Sequence, residues 1–428
     1  MKLSNSQWLL WEETQALARA LGSERMRFVG GAVRDCLLGI DAKDVDVATP
    51  LPPQEVMELL TEAGMKVFPT GIDHGTITVV TGKHHFEVTT LRRDVTTDGR
   101  RAIVAYTEDW CEDAMRRDFT MNALYCDMEG EISDYFGGVQ DAMEGHVRFI
   151  GNAAERIRED ALRILRFFRF FAWYGKLPAD SEALTACQEL AEMIDRLSGE
   201  RIRQEMLKLL VSPNSASVIT LMQEHGVLRY VLPAPVSVQA LSRLPQLLEK
   251  TQQPHNPILA LALLLRSAGG DVLQQADWIR TRWKLSNAEQ YLLADLCRYE
   301  RIKPDKDTRR SAATTSSEGV SEAKGATNSP PGNNIKKHIR ATGKELFILQ
   351  QLMTMAEGED EAQGTHTIAL AASWQPPAFP LTGDDLIRRG ITPGKNMGAL
   401  LKRLEEYWEE EEYNPDKQAL LRHAGLAE

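Results

Sequence analysis

FVGGAVRDCLLGIDAKDVDVAT, residues 28–49, reads as a strand, a Gly-Gly turn, a short helix and a second strand that carries Asp44 and Asp46. Side chains two apart on a strand point to one face, with Cα atoms roughly 6.5–7 Å apart, so the two carboxylates can share a divalent metal. Magnesium favours carboxylate and phosphate oxygens in an octahedral shell, which suits such a pair to a metal–nucleotide complex. Gly30 and Gly31 let backbone N–H groups approach a triphosphate, and Arg34 adds positive charge. Taken alone, an Asp-x-Asp pair is more often an exposed strand end.

Working outward, strand signals continue at Met26 to Val29, Thr76 to Thr81 and Phe86 to Leu91, each rich in Val, Ile, Thr or Phe and bounded by turn residues. Leu124 to Met128 and Glu131 to Tyr135 read as a hairpin joined at Glu129-Gly130. After Asn152 the pattern turns helical. From Ala154 to Tyr174 the apolar residues Ile157, Leu162, Leu165, Phe168 and Phe171 alternate with arginines, which predicts one long helix with a basic face. Further helices are expected over Glu182 to Leu197, Arg201 to Leu210, Ser215 to His225 and Pro257 to Leu264. The fold class is therefore α+β: an α/β region first, then an all-helical remainder. Lys306 to Asn334 is rich in Ser, Thr, Ala, Gly, Asn and Pro, and reads as a disordered insert, because it offers too little apolar surface to offset the entropy of ordering.

At 428 residues with 43% hydrophobic residues, the chain is long enough for about three folding units. It has no apolar run approaching the roughly 18 residues of a membrane span, and its first residues lack the pattern of a signal peptide. A soluble, cytoplasmic protein with no membrane association is expected. Five scattered cysteines without a CxxC pair indicate neither a disulfide framework nor a structural zinc site. A net charge of −11 argues against indiscriminate coating of nucleic acid, so any RNA contact must be local.

GGAVRD followed nine residues after Asp35 by DVD resembles the signature of the polymerase β-like nucleotidyltransferases. In the same order, RRDFTMNAL at Arg116 to Leu124, DYFGGVQDAMEGHVRFIG at Asp134 to Gly151, EDALRILRFFRF at Glu159 to Phe170 and SGERIRQEMLKLL at Ser198 to Leu210 resemble the class II tRNA nucleotidyltransferases and bacterial poly(A) polymerases. FPLTGDDLIRRGITPGKNMGALLKRLEEYW resembles the tail of CCA-adding members. The resemblance implies a catalytic head over 1–151, a helical neck that recognises the nucleotide base over 152–235, a helical body over 236–305, the insert over 306–335, and a helical tail that binds tRNA over 336–428.

It also implies template-independent addition of CCA to the tRNA 3′ end from CTP and ATP. In that chemistry Asp44 and Asp46 hold Mg2+, Glu87 is a third carboxylate on a neighbouring strand, and pyrophosphate leaves without a protein general base. Arg117, Asp118 and Asn122 are the expected ribose and triphosphate contacts, although Asp118 also fits the N-cap of a helix. Asp160 and Arg163, three apart and so expected on one helix face, match the amino donor and ring-nitrogen acceptor that cytosine and adenine share. The plainer alternative for the pair is a surface salt bridge. Arg166 is a further expected nucleotide contact, and the basic face through Arg166 and Arg169 suits either the tRNA backbone or a solvated helix surface. Arg92 to Trp110 resembles the mobile loop used in switching from C to A addition, and Gly137-Gly138 suits either a hinge or a turn.

The nearest rival is a poly(A) polymerase, then a specialist that adds only CC or only A. A noncatalytic RNA-binding module would be expected to lose its metal carboxylates, and both aspartates are present. A dinucleotide-binding oxidoreductase lacks the third glycine of its fingerprint. No His-Asp pair marks a metal phosphohydrolase; His84 and His85 adjoin a strand without partners at metal spacing. No protein partner is expected.

Overall fold

The computed structural model describes residues 1–3, 6–42, 44–98, 101–300 and 331–426, with the side chains of 94–98, 101–104 and 331–334 left aside. The chain forms two compact units, Met1–Val238 with Ser267–Asn287, and Gln239–Arg266 with Ala288–Glu428. Among the described residues no helix is long and apolar enough to cross a membrane.

The first unit is built on a seven-stranded sheet. Its strands are β1 (Arg27–Val29), β2 (Val45–Thr49), β3 (Lys66–Gly71), β4 (Thr76–Thr81), β5 (His84–Thr90), β8 (Leu124–Cys126) and β9 (Ile132–Asp134), in the order β3-β4-β5-β2-β1-β8-β9. Only β2 and β5 run parallel; their register sets Val45 opposite Phe86, Asp46 opposite Glu87 and Val47 opposite Val88. The alternation of side chains along a strand then does the sorting. Phe28, Val45, Val47, Ile77, Val79, Phe86 and Val88 pack into one core with the helices Glu12–Leu21 and Pro53–Glu62, while Asp46 and Glu87 share the opposite face.

Between β5 and the helix Trp110–Met115, the segment expected as a loop forms an antiparallel pair instead, β6 (Arg92–Asp98) with β7 (Arg101–Tyr106). Gly137 adopts the left-handed conformation at φ 78°, and a Cβ on Gly138 would lie 2.1 Å from the Thr120 carbonyl oxygen. The Gly-Gly pair is thus a close-packed turn, not a hinge, and the Asp134 carboxylate fixes it by accepting the N–H groups of Gly138 and Val139, both at 2.9 Å.

The long helix expected from Ala154 to Tyr174 is two helices, Ala153–Glu159 and Leu162–Tyr174. Apolar periodicity runs unbroken across the join, so hydrophobicity alone could not reveal it. The break falls on Asp160, which is extended at φ −152°, ψ 106° and whose carboxylate accepts the Leu162 N–H at 3.1 Å. Short polar side chains favour such a cap over a place inside a helix. Downstream, Ser181–Glu189 passes into a 3-10 turn at Ala191–Arg196, and Gly199–Leu210 packs beside Leu162–Tyr174. Phe119 from the head meets Phe149 at 4.9 Å and Phe170 at 5.2 Å between ring centroids, so the sheet region and the helices that follow share one aromatic core.

The second unit is helical throughout its described residues. The expected insert lies mostly outside them, but its last residues belong to a helix, Pro331–Thr342. In the tail, Gly383–Ile387 begins with a capping box between Thr382 and Asp385, and Gly394 opens the helix Lys395–Glu410. Leu381, Leu386, Leu404, Trp408, Leu420 and Leu421 form its core.

Candidate active site

Gly30 ends β1 at φ 70°, ψ −119°, a conformation that needs glycine, and so turns the chain directly into the helix Gly31–Leu37. That turn opens onto a cavity of about 820 Å³ inside the first unit. Gly30, Gly31, Arg34, Asp44, Asp46, Arg117, Asp118, Asn122, Asp160, Arg163 and Arg166 all line it. Of the residues singled out from the sequence, only Glu87 is not in the lining; it stands next to Asp46 across the parallel ladder. Seven basic and six acidic side chains line the cavity, so it is locally balanced within an acidic chain and can take a polyanion together with its cations.

The acids gather at the edge of β2. Asp44 precedes the strand, is largely exposed, and has the His85 imidazole 3.6 Å away. Asp46 is pushed up to about 6, first by burial and then by the Glu87 and Asp44 carboxylates, against the pull of Arg117. A carboxyl burdened in this way gains from a cation. No group of three or more ligands stands preassembled among the described residues. Two aspartates with substrate phosphates and water nonetheless fit magnesium, which keeps several waters in its shell.

One consequence is measurable without substrate. Below pH 3.8 the Asp46 carboxyl is protonated in the folded and unfolded chain alike; between 3.8 and about 6 the folded chain alone keeps the proton. Stability therefore falls as pH rises through that window, by on the order of 1–3 kcal/mol. In EDTA at pH 7.5, Asp46→Asn should melt a few degrees above the wild type, and the gap should close near pH 4. A variant no more stable than wild type at pH 7.5 would show that neither burial nor the neighbouring carboxylates burden the Asp46 charge.

Deeper in, the arginines are held by a continuous network. Asp118 is buried, accepts the Asn122 amide at 3.0 Å and the Arg166 Nε–H at 2.6 Å. Burial alone would raise its pKa, but Arg166 and Asn122 outweigh that and hold the carboxyl below its ordinary value. It is not a helix N-cap: Phe119 occupies that place before the 3-10 turn Thr120–Asn122. Arg34 donates to Asn122 and, at 2.8 Å, to the Tyr174 hydroxyl, whose ring it also overlies at 4.1 Å. Arg117 rests on Asp113, at 3.1 Å, and on the Tyr125 hydroxyl. Against the cost of burial, Arg117 and Arg116 keep Asp113 ionised at about 2.

Asp160 and Arg163 do not sit one above the other on a helix, because Asp160 is outside it. Asp160 is instead held by Arg201 at 2.6 Å, while Arg163 is held by Glu159 and donates to the Arg156 carbonyl at 2.8 Å. They are not each other's salt-bridge partners, so the surface i,i+3 pair is set aside. Each keeps hydrogen-bonding capacity: a carboxylate accepts at about four sites and a guanidinium has five donors. Arg156, on the helix Ala153–Glu159, grips the segment before the 3-10 turn, its Nη2 donating to the carbonyls of Arg116 at 2.5 Å and Arg117 at 2.7 Å. Arg169, read from the sequence as part of a basic face for the tRNA backbone or a solvated helix face, lines the cavity too; Arg201, Trp173, Tyr174 and Lys208, to which sequence reasoning assigned no role, also line it. Arg201 and Lys208 were within a quoted motif, but only the packing of two helices brings them to the site.

The family profile of the poly A polymerase head domain matches residues 26–148, and that of the probable RNA and SrmB- binding site of polymerase A matches 179–237. The mouse mitochondrial CCA tRNA nucleotidyltransferase 1 is 34% identical over 98% of this chain and 92% of its own length. The chain belongs to the CCA-adding tRNA nucleotidyltransferase family. A CCA-adding enzyme of Lactococcus lactis is 38% identical over 63% of this chain and 66% of its own length. The crystal structure of the Bacillus stearothermophilus CCA-adding enzyme in complex with CTP superposes with a TM-score of 0.68 at 26% identity, covering 94% of this chain and 93% of that one. Membership in the CCA-adding family makes the chain a nucleotidyltransferase with an α+β fold, and proteins of this class generally use divalent metal ions.

Proposed function

We infer that this nucleotidyltransferase adds C, C and A in turn to the 3′ end of tRNA, taking CTP and ATP and releasing pyrophosphate. What carries the reading is that one cavity brings together the paired aspartates, the Arg117-Asp118-Asn122 group and the Asp160–Arg163 group, in a chain related almost end to end to CCA-adding enzymes. Asp44 and Asp46, with Glu87 adding charge, would hold Mg2+, which supplies acidification of the RNA 3′-hydroxyl and neutralisation of the leaving pyrophosphate. Arg34 and Arg117, with the N–H groups at Gly30-Gly31, hold the triphosphate. Asp118 and Asn122 accept and donate to the ribose hydroxyls, favouring ribonucleotides. Asp160 accepts the exocyclic amino group of C or A, and Arg163 donates to the ring nitrogen beside it.

Residues 1–151 thus serve as catalytic head, 152–235 as the base-reading neck, 236–305 as body, and 336–428 as the tail that binds tRNA. The head and RNA-binding profiles, at 26–148 and 179–237, support the first two assignments. Five free thiols suit a reducing compartment, and we place the protein in the cytoplasm.

The test is direct. Purified protein is given tRNA ending at the discriminator base, at C and at CC, with CTP, ATP or both, and the products are sequenced. Completion to CCA followed by arrest is the expected result. A growing A tail would make it a poly(A) polymerase, and arrest at CC, or addition of A alone, would make it a partial specialist.

A further inference from the structure

Two helices line one wall of the cavity side by side, Leu162–Tyr174 and Gly199–Leu210. Their contacts run in the same order along both: Arg201 meets Asp160, Glu205 meets Arg166 and Arg169, and the carbonyl of Lys208 meets Trp173. The wall therefore has two ends. Asp160, Arg163 and Arg201 form one. Trp173 and Lys208 form the other, ten residues beyond Arg163 and so about 15 Å away along the helix axis.

Trp173 has three properties that a core tryptophan does not combine. It lines the cavity, it is 40% exposed, and its indole is pinned, since Nε1–H donates to the Lys208 carbonyl at 3.0 Å. Among the described residues no other ring packs on it, although the adjacent Phe170 and Tyr174 stack on one another. A fixed aromatic face left open beside cations is the arrangement that takes a nucleobase of single-stranded nucleic acid. Here the cations are Lys208 and Arg169, both in the lining. The cavity, at about 820 Å³, lies near the top of the roughly 300–1,000 Å³ usual for a small-ligand site.

We propose that Trp173 is the stacking platform for the unpaired 3′-terminal nucleoside of the RNA acceptor, with Lys208 and Arg169 beside it for the RNA phosphates. The proposal rests on the tRNA-extending reading above. An incoming nucleotide whose base is read at Asp160 and Arg163 cannot also lie on an indole about 15 Å further along, so the open face belongs to the other substrate. Trp173 acts through binding and position, not on the reacting atoms.

The experiment compares wild type, Trp173→Ala and Trp173→Phe on an acceptor-stem minihelix ending in one unpaired C after the discriminator base, and on the same minihelix trimmed back to its last base pair. Loss of a base–aromatic stack costs about 5- to 150-fold in affinity. Trp173→Ala should therefore raise KM for the untrimmed minihelix within that range, leave KM for CTP within about twofold, and be rescued largely by Trp173→Phe. Trimming should weaken binding to the wild type but hardly change binding to Trp173→Ala. Equal sensitivity of both proteins to trimming, or a change in KM for CTP alone, overturns the proposal while the tRNA-extending reading stands; failure of the wild type to extend the minihelix, or tRNA itself, overturns that reading as well. Thermal melts of the three proteins check folding, and the phenylalanine variant, which keeps the ring, decides the matter even where the alanine variant is destabilised.

Discussion

Alanine at Asp44 or Asp46 is expected to lower single-turnover transfer of CMP to tRNA by at least about 10³-fold, or some 4 kcal/mol at about 1.4 kcal/mol per tenfold. The protein should still fold and bind tRNA within about twofold of wild type. The reason lies in what the two side chains do not do. Asp44 is largely exposed, with only the His85 imidazole 3.6 Å from it, and no hydrogen bond among the described residues holds Asp46. Neither supports the core, and Asp46 is carried at an electrostatic cost. On the proposed reading their value lies in the cations they would gather, whose loss would remove both the activated 3′-hydroxyl and the neutralised leaving group. Glu87→Ala should cost less, about 10- to 100-fold, because Glu87 acts across the ladder and is not in the cavity lining. Near-normal transfer by either aspartate variant in magnesium would remove these residues from the site.

The second large effect concerns the choice of base. Asp160→Ala should relax discrimination against UTP relative to CTP by tenfold or more, since a site built to hydrogen-bond its substrate rejects a mismatch through unpaired polar groups at about 1–3 kcal/mol each. Arg163→Ala should lower incorporation of both CTP and ATP, because the donor that both ring nitrogens share is gone. The structure adds a third variant. Arg201 holds the Asp160 carboxylate at 2.6 Å, so Arg201→Ala should also relax base choice, though by only a few-fold. kcat/KM for all four NTPs on matched acceptors measures all three. Rates that fall uniformly with unchanged base ratios would show that these side chains merely support the fold.

How much of this the sequence discloses depends on whether the signal is local. β4 announces itself by alternation, because one face is buried and the other wetter, and the β8–β9 hairpin by its Glu129-Gly130 turn, since β8 itself is buried on both faces. β3 does not: it is a sheet edge, exposed or half-exposed along its whole length, and contains Pro69, so no pattern marks it. The stretch over 28–49 was legible because the turn glycines, the helix and the aspartates lie together within it. That Asp160 and Arg163 share one site was legible, but their geometry was not, since an aspartate that can cap a new helix turn looks, to a periodicity argument, like one more polar residue on the old one. Arg201 and Trp173 depend on two helices lying parallel, which nothing in either helix alone specifies.

The grip of Arg156 on the carbonyls of Arg116 and Arg117 makes the arginine proposed to face the triphosphate and the helices proposed to face the base parts of one mechanical piece. Equilibrium coupling is reciprocal: if phosphate contacts at Arg117 settle the segment 116–118, they steady Asp160 and Arg163 by the same free energy with which a matched base steadies Arg117. Selectivity among bases is then not a property of the base pocket alone. A bare nucleoside would meet the same side chains yet be sorted less sharply than its triphosphate, and fidelity would be drawn in part from the end of the nucleotide that carries no information about its identity.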